Sequence, residues 1–313
     1  MSETTKFDNI DISSFSWAKN EGPLPFRLTN DYLFKGLMQR NQDTLKSLIG
    51  ACLHLSADQI QTVEVLNPIM LGKQVGDKEY LLDLKVLMNS SVSLDMEMQV
   101  VDYHDWPERS LQYLCRLFDD LNRGAGYKET KSAIHIGILD YEVFPGKCTL
   151  RDAYCLMNEK TYAPYTDKFW IYQICLKKAE EATEEDRLFK TDLWARFFKT
   201  TSWEDLIMLA RKDMVIASAV ETVNQLWADR EIRYQIEARE DRIKREKARE
   251  EQLRLADETI ANQKKEINDQ RAEINNQREE IKMQRELLAN KDEEIAALRK
   301  ELERIELERS RNV

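Results

Sequence analysis

Two neighbouring apolar stretches carry the residues whose types and spacing could do chemistry. In the first, Leu82, Leu84 and Val86 alternate with Asp83 and Lys85; in the second, Leu94, Met96, Met98 and Val100 alternate with Asp95, Glu97 and Gln99. Strand side chains change face at every residue, so each polar set shares one face of its strand. A short polar turn at Asn89, Ser90 and Ser91 predicts a hairpin, which brings the two polar faces together and sets the apolar faces against a core. Carboxylates facing carboxylates are unfavourable unless a cation lies between them. Two of them about 4.8 Å apart, one strand spacing, suit Mg²⁺, which takes oxygen ligands and keeps several waters. The plainer alternative is a solvated sheet face on which acids happen to align, and the pattern leaves both open.

The elements that must position these residues follow in order along the chain. Thr29 or Asn30 can cap a helix starting near Asp31, and Tyr32, Leu33, Leu37, Leu45, Leu48, Ile49 and Cys52 recur at helical spacing, predicting one helix that covers a sheet face. Thr62 to Leu66 reads as a strand ended by Asn67-Pro68, with Glu64 as its one acid. Pro107 suits the first turn of a helix running through Leu111, Leu114, Cys115, Phe118 and Leu121, on which Arg109 and Tyr113 point the same way. The Ile-rich run Ala133 to Leu139 predicts a fully buried strand, and Ala153 to Met157 and Phe169 to Leu176 would extend the sheet. From Glu180 the pattern turns helical, with Leu188, Phe189, Leu193, Trp194, Phe197 and Phe198 forming an aromatic-rich face read as packing. Further helices are expected at Trp203 to Leu209 and Met214 to Trp227.

After Trp227 the chain has no Gly or Pro. Leu253, Ile260, Ile267, Ile274, Ile281, Leu288, Ile295 and Leu302 recur seven apart, and three residues on from each stand Ala256, Gln263, Gln270, Gln277, Gln284, Lys291, Leu298 and Ile305. Sustained heptads predict a left-handed coiled coil, hence a homo-oligomer; glutamine at the second seam position costs stability and can fix register by hydrogen bonds between chains. The rival is a solitary charged helix held by its own Glu–Lys and Glu–Arg pairs.

The 313 residues, 42% hydrophobic, suffice for one medium domain and an extension, and 33% charged residues fit the polar C-terminal third. A net charge of −10 argues against coating nucleic acid by bulk electrostatics, but not against a local basic cleft. Cys52, Cys115, Cys148, Cys155 and Cys175 occur singly in apolar surroundings, which suggests buried, reduced thiols in a cytoplasmic protein, and His54, His104 and His135 make no zinc spacing with them. No apolar run reaches about 18 residues, so no membrane span is expected, and the polar, acidic N-terminus is unlike a signal peptide.

Asp83, followed by Glu97-x-Gln99 on the next strand, resembles the D…(D/E)-x-K site of the PD-(D/E)XK nucleases. The order of LTNDYLFKGLM from Leu28, VEVLNP from Val63, LLDLKV from Leu81, LDMEMQ from Leu94, RSLQYLCRLF from Arg109 and IHIGILDY from Ile134 resembles, more narrowly, the bacterial recombination-promoting nucleases and PD-(D/E)XK-type transposases. The resemblance implies an α/β, restriction-endonuclease-like core, a mixed sheet flanked by helices, followed by a helical region and the coiled coil. The boundaries would be an arm over residues 1–25, the core over 26–178, a helical extension over 179–235 and the coiled coil over 236–313. It implies a metal-dependent DNA endonuclease in which Asp83, Glu97 and the carbonyl of Met98 hold Mg²⁺ or Mn²⁺, and Arg109 meets a substrate phosphate. The family's lysine position is Gln99 here; its amide can orient water but carries no charge, and Lys85 could supply the missing cation. The alternative is a catalytically degenerate nuclease fold serving as an oligomeric DNA- or protein-binding module.

Overall fold

The alternating stretches do form a hairpin, and it lies in the middle of a mixed sheet. The computed structural model describes residues 10–67, 84–119 and 126–311, with side chains through residue 304. Strands β1 (Val63–Val65), β2 (Leu84–Met88), β3 (Val92–Gln99), β4 (Ser132–Leu139), β5 (Arg151–Cys155) and β6 (Phe169–Cys175) stand in the order β1-β2-β3-β4-β6-β5. β1, β2 and β3 are antiparallel, β3, β4 and β6 parallel, and β5 returns antiparallel on the edge. The β2–β3 turn works because Asn89 and Ser90 both adopt positive φ, the combination that matches strand twist. Asn89 also accepts from the backbone N–H groups of Gln61 and Thr62 and donates to the carbonyl of Gln59, which ties the turn to the chain entering β1.

The central strands are apolar on one face. Leu84, Val86, Leu94, Met96, Ile134, Ile136 and Ile138 join one core with the helices packed over that face. The helices are α1 (Asp31–Arg40), α2 (Gln42–Leu53), α5 (Thr191–Lys199), α6 (Trp203–Ala210) and α7 (Met214–Ala228), with the short α4 (Glu184–Leu188) before α5. The single helix expected from Asp31 to Cys52 is thus two. Asn41 interrupts it with extended backbone, its side-chain oxygen caps α2 at the Thr44 N–H, and its amide donates to Ser218 and Thr222 of α7. Apolar spacing runs through such a break unchanged, because both helices bury the same side.

The opposite face is covered by α3 (Trp106–Phe118), which opens with Pro107 in its first turn. Trp106 packs on Leu139 and Tyr141, and Leu114 on Ala133 and Ile171. Gly137 of β4 makes room for Trp106: a Cβ there would meet the indole ring at 2.1 Å.

The last helix, α8 (Arg230–Arg311), belongs to two units. The first unit extends to Glu250 and the second begins at Glu251. Within the first, Ile232, Ile236 and Ile243 are buried, so the start of α8 is part of its packing. Among the described residues no helix is long and apolar enough to cross a membrane.

Gly137→Ala should therefore lower the stability of the first unit by about 1–3 kcal/mol, the usual cost of overpacking. Denaturant titration checks this; an unchanged midpoint would show that Trp106 has room to move.

Candidate functional site

β3 is paired on both edges and covered on both faces, so its outward acids are buried rather than solvated. Asp95 and Glu97 are only 1% and 7% exposed. A buried carboxylate requires a charged or hydrogen-bonding partner, and each has one on a neighbouring element. Asp95 faces His135, its direct cross-strand partner on β4, at 3.2 Å. The imidazole lies between Trp106 and Tyr113 of α3, with ring centroids 5.4 and 5.6 Å away. Glu97 is paired with Arg109 of α3, Nη2 to Oε1 at 2.6 Å, with Nε to Oε2 at 3.4 Å. Arg109 in turn lies 5.5 Å from the centre of the Tyr113 ring, as their i, i+4 spacing permits.

Burial raises the pKa of Glu97, and Arg109 opposes that shift without cancelling it. Burial alone would lower the pKa of Arg109, but Glu97 outweighs it and the guanidinium is held charged.

Glu97 and Arg109 form one wall of a cleft of about 90 Å³, room for several waters. Met98, Gln99 and Tyr113 also line it. Facing them are Asp31, in the first turn of α1, and Arg239 and Glu246 from the start of α8. Arg239 grips Asp31 with Nε at 2.8 Å from both carboxylate oxygens and Nη2 at 2.5 Å from Oδ2. Tyr103 donates to Glu246 at 2.8 Å, and Arg242 donates to the same carboxylate. Burial would raise the pKa of Glu246, but these two hydrogen bonds lower it. The cleft therefore holds three carboxylates, Asp31, Glu97 and Glu246, each charge-compensated by an arginine.

The residues singled out from sequence fall as follows. Glu97, Met98, Gln99 and Arg109 line the cleft together. The Gln99 amide donates to the carbonyl of Val101 at 3.3 Å. Lys85 is exposed on β2, opposite Asp95, and is not one of the cleft-lining residues. Glu64 is exposed on β1, opposite Leu87. Asp83 lies outside the described residues. Asp31, near which the first helix is expected to start, is in the cleft wall. Arg239 and Glu246 were not found by sequence reasoning, yet a signal existed: counted back by sevens from Leu253, the heptad ladder meets Glu246, Arg239 and Ile232.

A divalent metal asks for hard, anionic oxygen at a place water can reach. Glu97 meets that demand, as a nearly buried carboxylate whose charge needs a cation at the wall of a hydrated-size cleft. The cation beside it in this structure is the guanidinium of Arg109, which marks where positive charge is wanted. Among the described residues no three His, Cys, Asp or Glu side chains come together as a ready-made ligand cluster.

A family model described as PD-(D/E)XK nuclease family transposase matches residues 28–251, well over half of the chain. Its end falls next to the boundary between the two structural units. Neither a curated protein nor a solved structure matches the chain.

The Glu97–Arg109 pair yields a direct test. Arg109→Met strands a buried carboxylate and should cost about 1–3 kcal/mol, whereas Glu97→Gln frees an arginine that can turn to water and should cost less. In the double variant the penalty of Arg109→Met should largely vanish. Urea unfolding of the four proteins measures the coupling, and additivity within about 0.5 kcal/mol would mean that the two groups act independently.

Proposed function

The chain belongs to the PD-(D/E)XK nuclease transposase family, and from that premise we propose that it is a metal-dependent DNA endonuclease that hydrolyses phosphodiester bonds in recombination or transposition-like reactions. Nucleases of this kind generally use divalent metal ions. The observation that carries the reading is Glu97: a buried carboxylate that opens on a water-sized cleft, inside the matched region, with a cation already drawn to it.

Asp83, Glu97 and the carbonyl of Met98 would hold the ion, Mg²⁺ or Mn²⁺. When bound, such an ion lowers the pKa of a coordinated water and offsets charge on the phosphate. The choice of Asp83 as companion of Glu97 rests on the sequence alternation and on the cross-strand pairing of Leu84 with Met96 immediately beside it. Gln99, in the cleft wall, would orient the attacking water through its amide. Arg109 is the group we assign to the substrate phosphate, since its planar guanidinium sits at the cleft and presents two donors. Lys85 would act only as a more distant positive charge on the same sheet face. The coiled coil expected over 236–313 is read as joining copies of the chain through the part beyond Glu250, where the first unit ends, which would bring two cleavage centres to one DNA.

One observation favours a second reading, a degenerate nuclease fold that binds DNA or protein without cutting: Glu97 is already neutralised by Arg109, and the lysine of the family pattern is Gln99.

Plasmid nicking in Mg²⁺ or Mn²⁺ separates the two. The wild type should nick supercoiled DNA, and Asp83→Ala and Glu97→Ala should each lose activity by about 10²-fold or more. Cleavage that survives both substitutions would remove the proposed site. Absence of cleavage on every DNA tried, with no Mg²⁺ binding by titration calorimetry, would establish the non-cutting reading.

A further inference from the structure

The second unit is a helix whose regularly spaced apolar residues are exposed among the described residues. Ile260, Ile267, Ile274 and Ile281 recur on one side and each is close to half exposed. Placing these isoleucines at position a of the heptad puts Gln263, Gln270, Gln277 and Gln284 at d, so the seam buries one apolar residue per heptad through its middle. Such a seam is weak, and the charged positions that flank it decide what it pairs with.

Those flanks are strongly biased. Position g carries Glu266, Glu273 and Glu280, while position e carries Arg271, Arg278 and Arg285. The same pair recurs as Glu294 with Arg299, after one interruption at Leu287 and Asp292. Among the described residues none of Arg271, Arg278 and Arg285 has a carboxylate within 4 Å; Arg254, off the seam, is paired with both Glu251 and Glu258. The arginines beside the seam are therefore available to a partner.

In a parallel two-stranded coil, a g residue of one helix lies beside the e residue five positions later on the other. Glu266 then meets Arg271, Glu273 meets Arg278 and Glu280 meets Arg285, in both directions across the seam. In an antiparallel coil g faces g and e faces e, which opposes glutamate to glutamate and arginine to arginine. We infer that the partner of this helix is a second copy of the same chain, aligned in parallel and in register, with orientation set by the Glu–Arg flanks rather than by the seam. The aligned glutamines at d then face their own counterparts, where each amide can donate to and accept from the other. This rests on the coiled-coil reading given above and adds what it leaves open, the number of strands and their direction. It attaches both nuclease units at the same end of the coil.

The test uses the full-length chain. Sedimentation at micromolar concentration should give a two-chain mass. Gln263→Cys and, separately, Leu298→Cys should each give a covalent dimer on mild oxidation, above the level of the wild-type chain with its native cysteines. The triple variant Arg271→Glu, Arg278→Glu, Arg285→Glu should weaken dimerisation at least about tenfold at low salt, with most of the loss disappearing in 1 M NaCl, where surface charges are screened. A monomeric wild type would overturn the coiled-coil reading itself. A dimer in which neither cysteine variant cross-links with itself, while a mixture of the two does, would overturn the orientation alone. A triple variant that dimerises like the wild type at low salt would show that the flanking charges do not set the pairing. None of these outcomes bears on whether the first unit cleaves DNA.

Discussion

The constraint on which the first unit depends is the burial of acids on a strand covered on both faces. β3 puts Leu94, Met96 and Met98 into the main core, so Asp95 and Glu97 must point the other way, and there they meet α3 instead of water. Neither carboxylate is tolerable alone in that position. His135 on β4 and Arg109 on α3 are thus structural necessities before they are anything else. They also fix the helix: with Arg109 on Glu97, and Trp106 and Tyr113 on either side of His135, α3 has one register against the sheet. The missing side chain at Gly137 gives Trp106 its place in that arrangement.

Local pattern revealed those elements whose signal is local. The period-two alternation gave β2 and β3, the unbroken apolar run gave β4, and Pro107 marked the start of α3. The sheet extension by β5 and β6 was legible for the same reason. The break between α1 and α2 was not, because its cause is a set of hydrogen bonds from Asn41 to α7, roughly 180 residues away in sequence. The same limit hid the buried state of the β3 acids. Alternation says that Asp95 and Glu97 share a face; whether that face is wet depends on α3, and the sequence spacing of α3 does not say which carboxylate Arg109 will meet. Arg239 was hidden in a different way. It lies in a charged run that continues into the heptads, and composition alone does not separate the residues of α8 that pack on the core from those that do not.

α8 contributes residues to both units. Up to Glu250 it offers Ile232, Ile236 and Ile243 to the first unit and sends Arg239 and Glu246 into the cleft. From Glu251 to Arg304 its side chains are exposed, and the ladder Leu253, Ile260, Ile267, Ile274 and Ile281 lies there. At the same heptad phase the residue type changes, from Arg239 and Glu246 to Leu253 and Ile260. Polar residues at that phase suit a cleft wall, and apolar ones suit a seam between chains. The change in residue type falls at the boundary between the two units.

Charge balance in the cleft has a consequence for binding. The chain is acidic overall, and the cleft arginines already hold carboxylates, so the site does not attract DNA by a large excess of positive charge. For Arg109 to turn the Nε–Nη2 edge that now holds Glu97 towards a phosphate, it must leave the carboxylate, and a buried carboxylate that loses its cation is strongly disfavoured unless another replaces it. Under the proposed function the replacement is the divalent ion, so metal binding and phosphate binding cannot be independent events. Each removes the cost that opposes the other, and thermodynamic linkage makes the effect reciprocal: whatever factor the metal adds to the affinity for DNA, DNA adds to the affinity for the metal. Under the proposed function, DNA held at this cleft depends on the exchange of partners at Glu97.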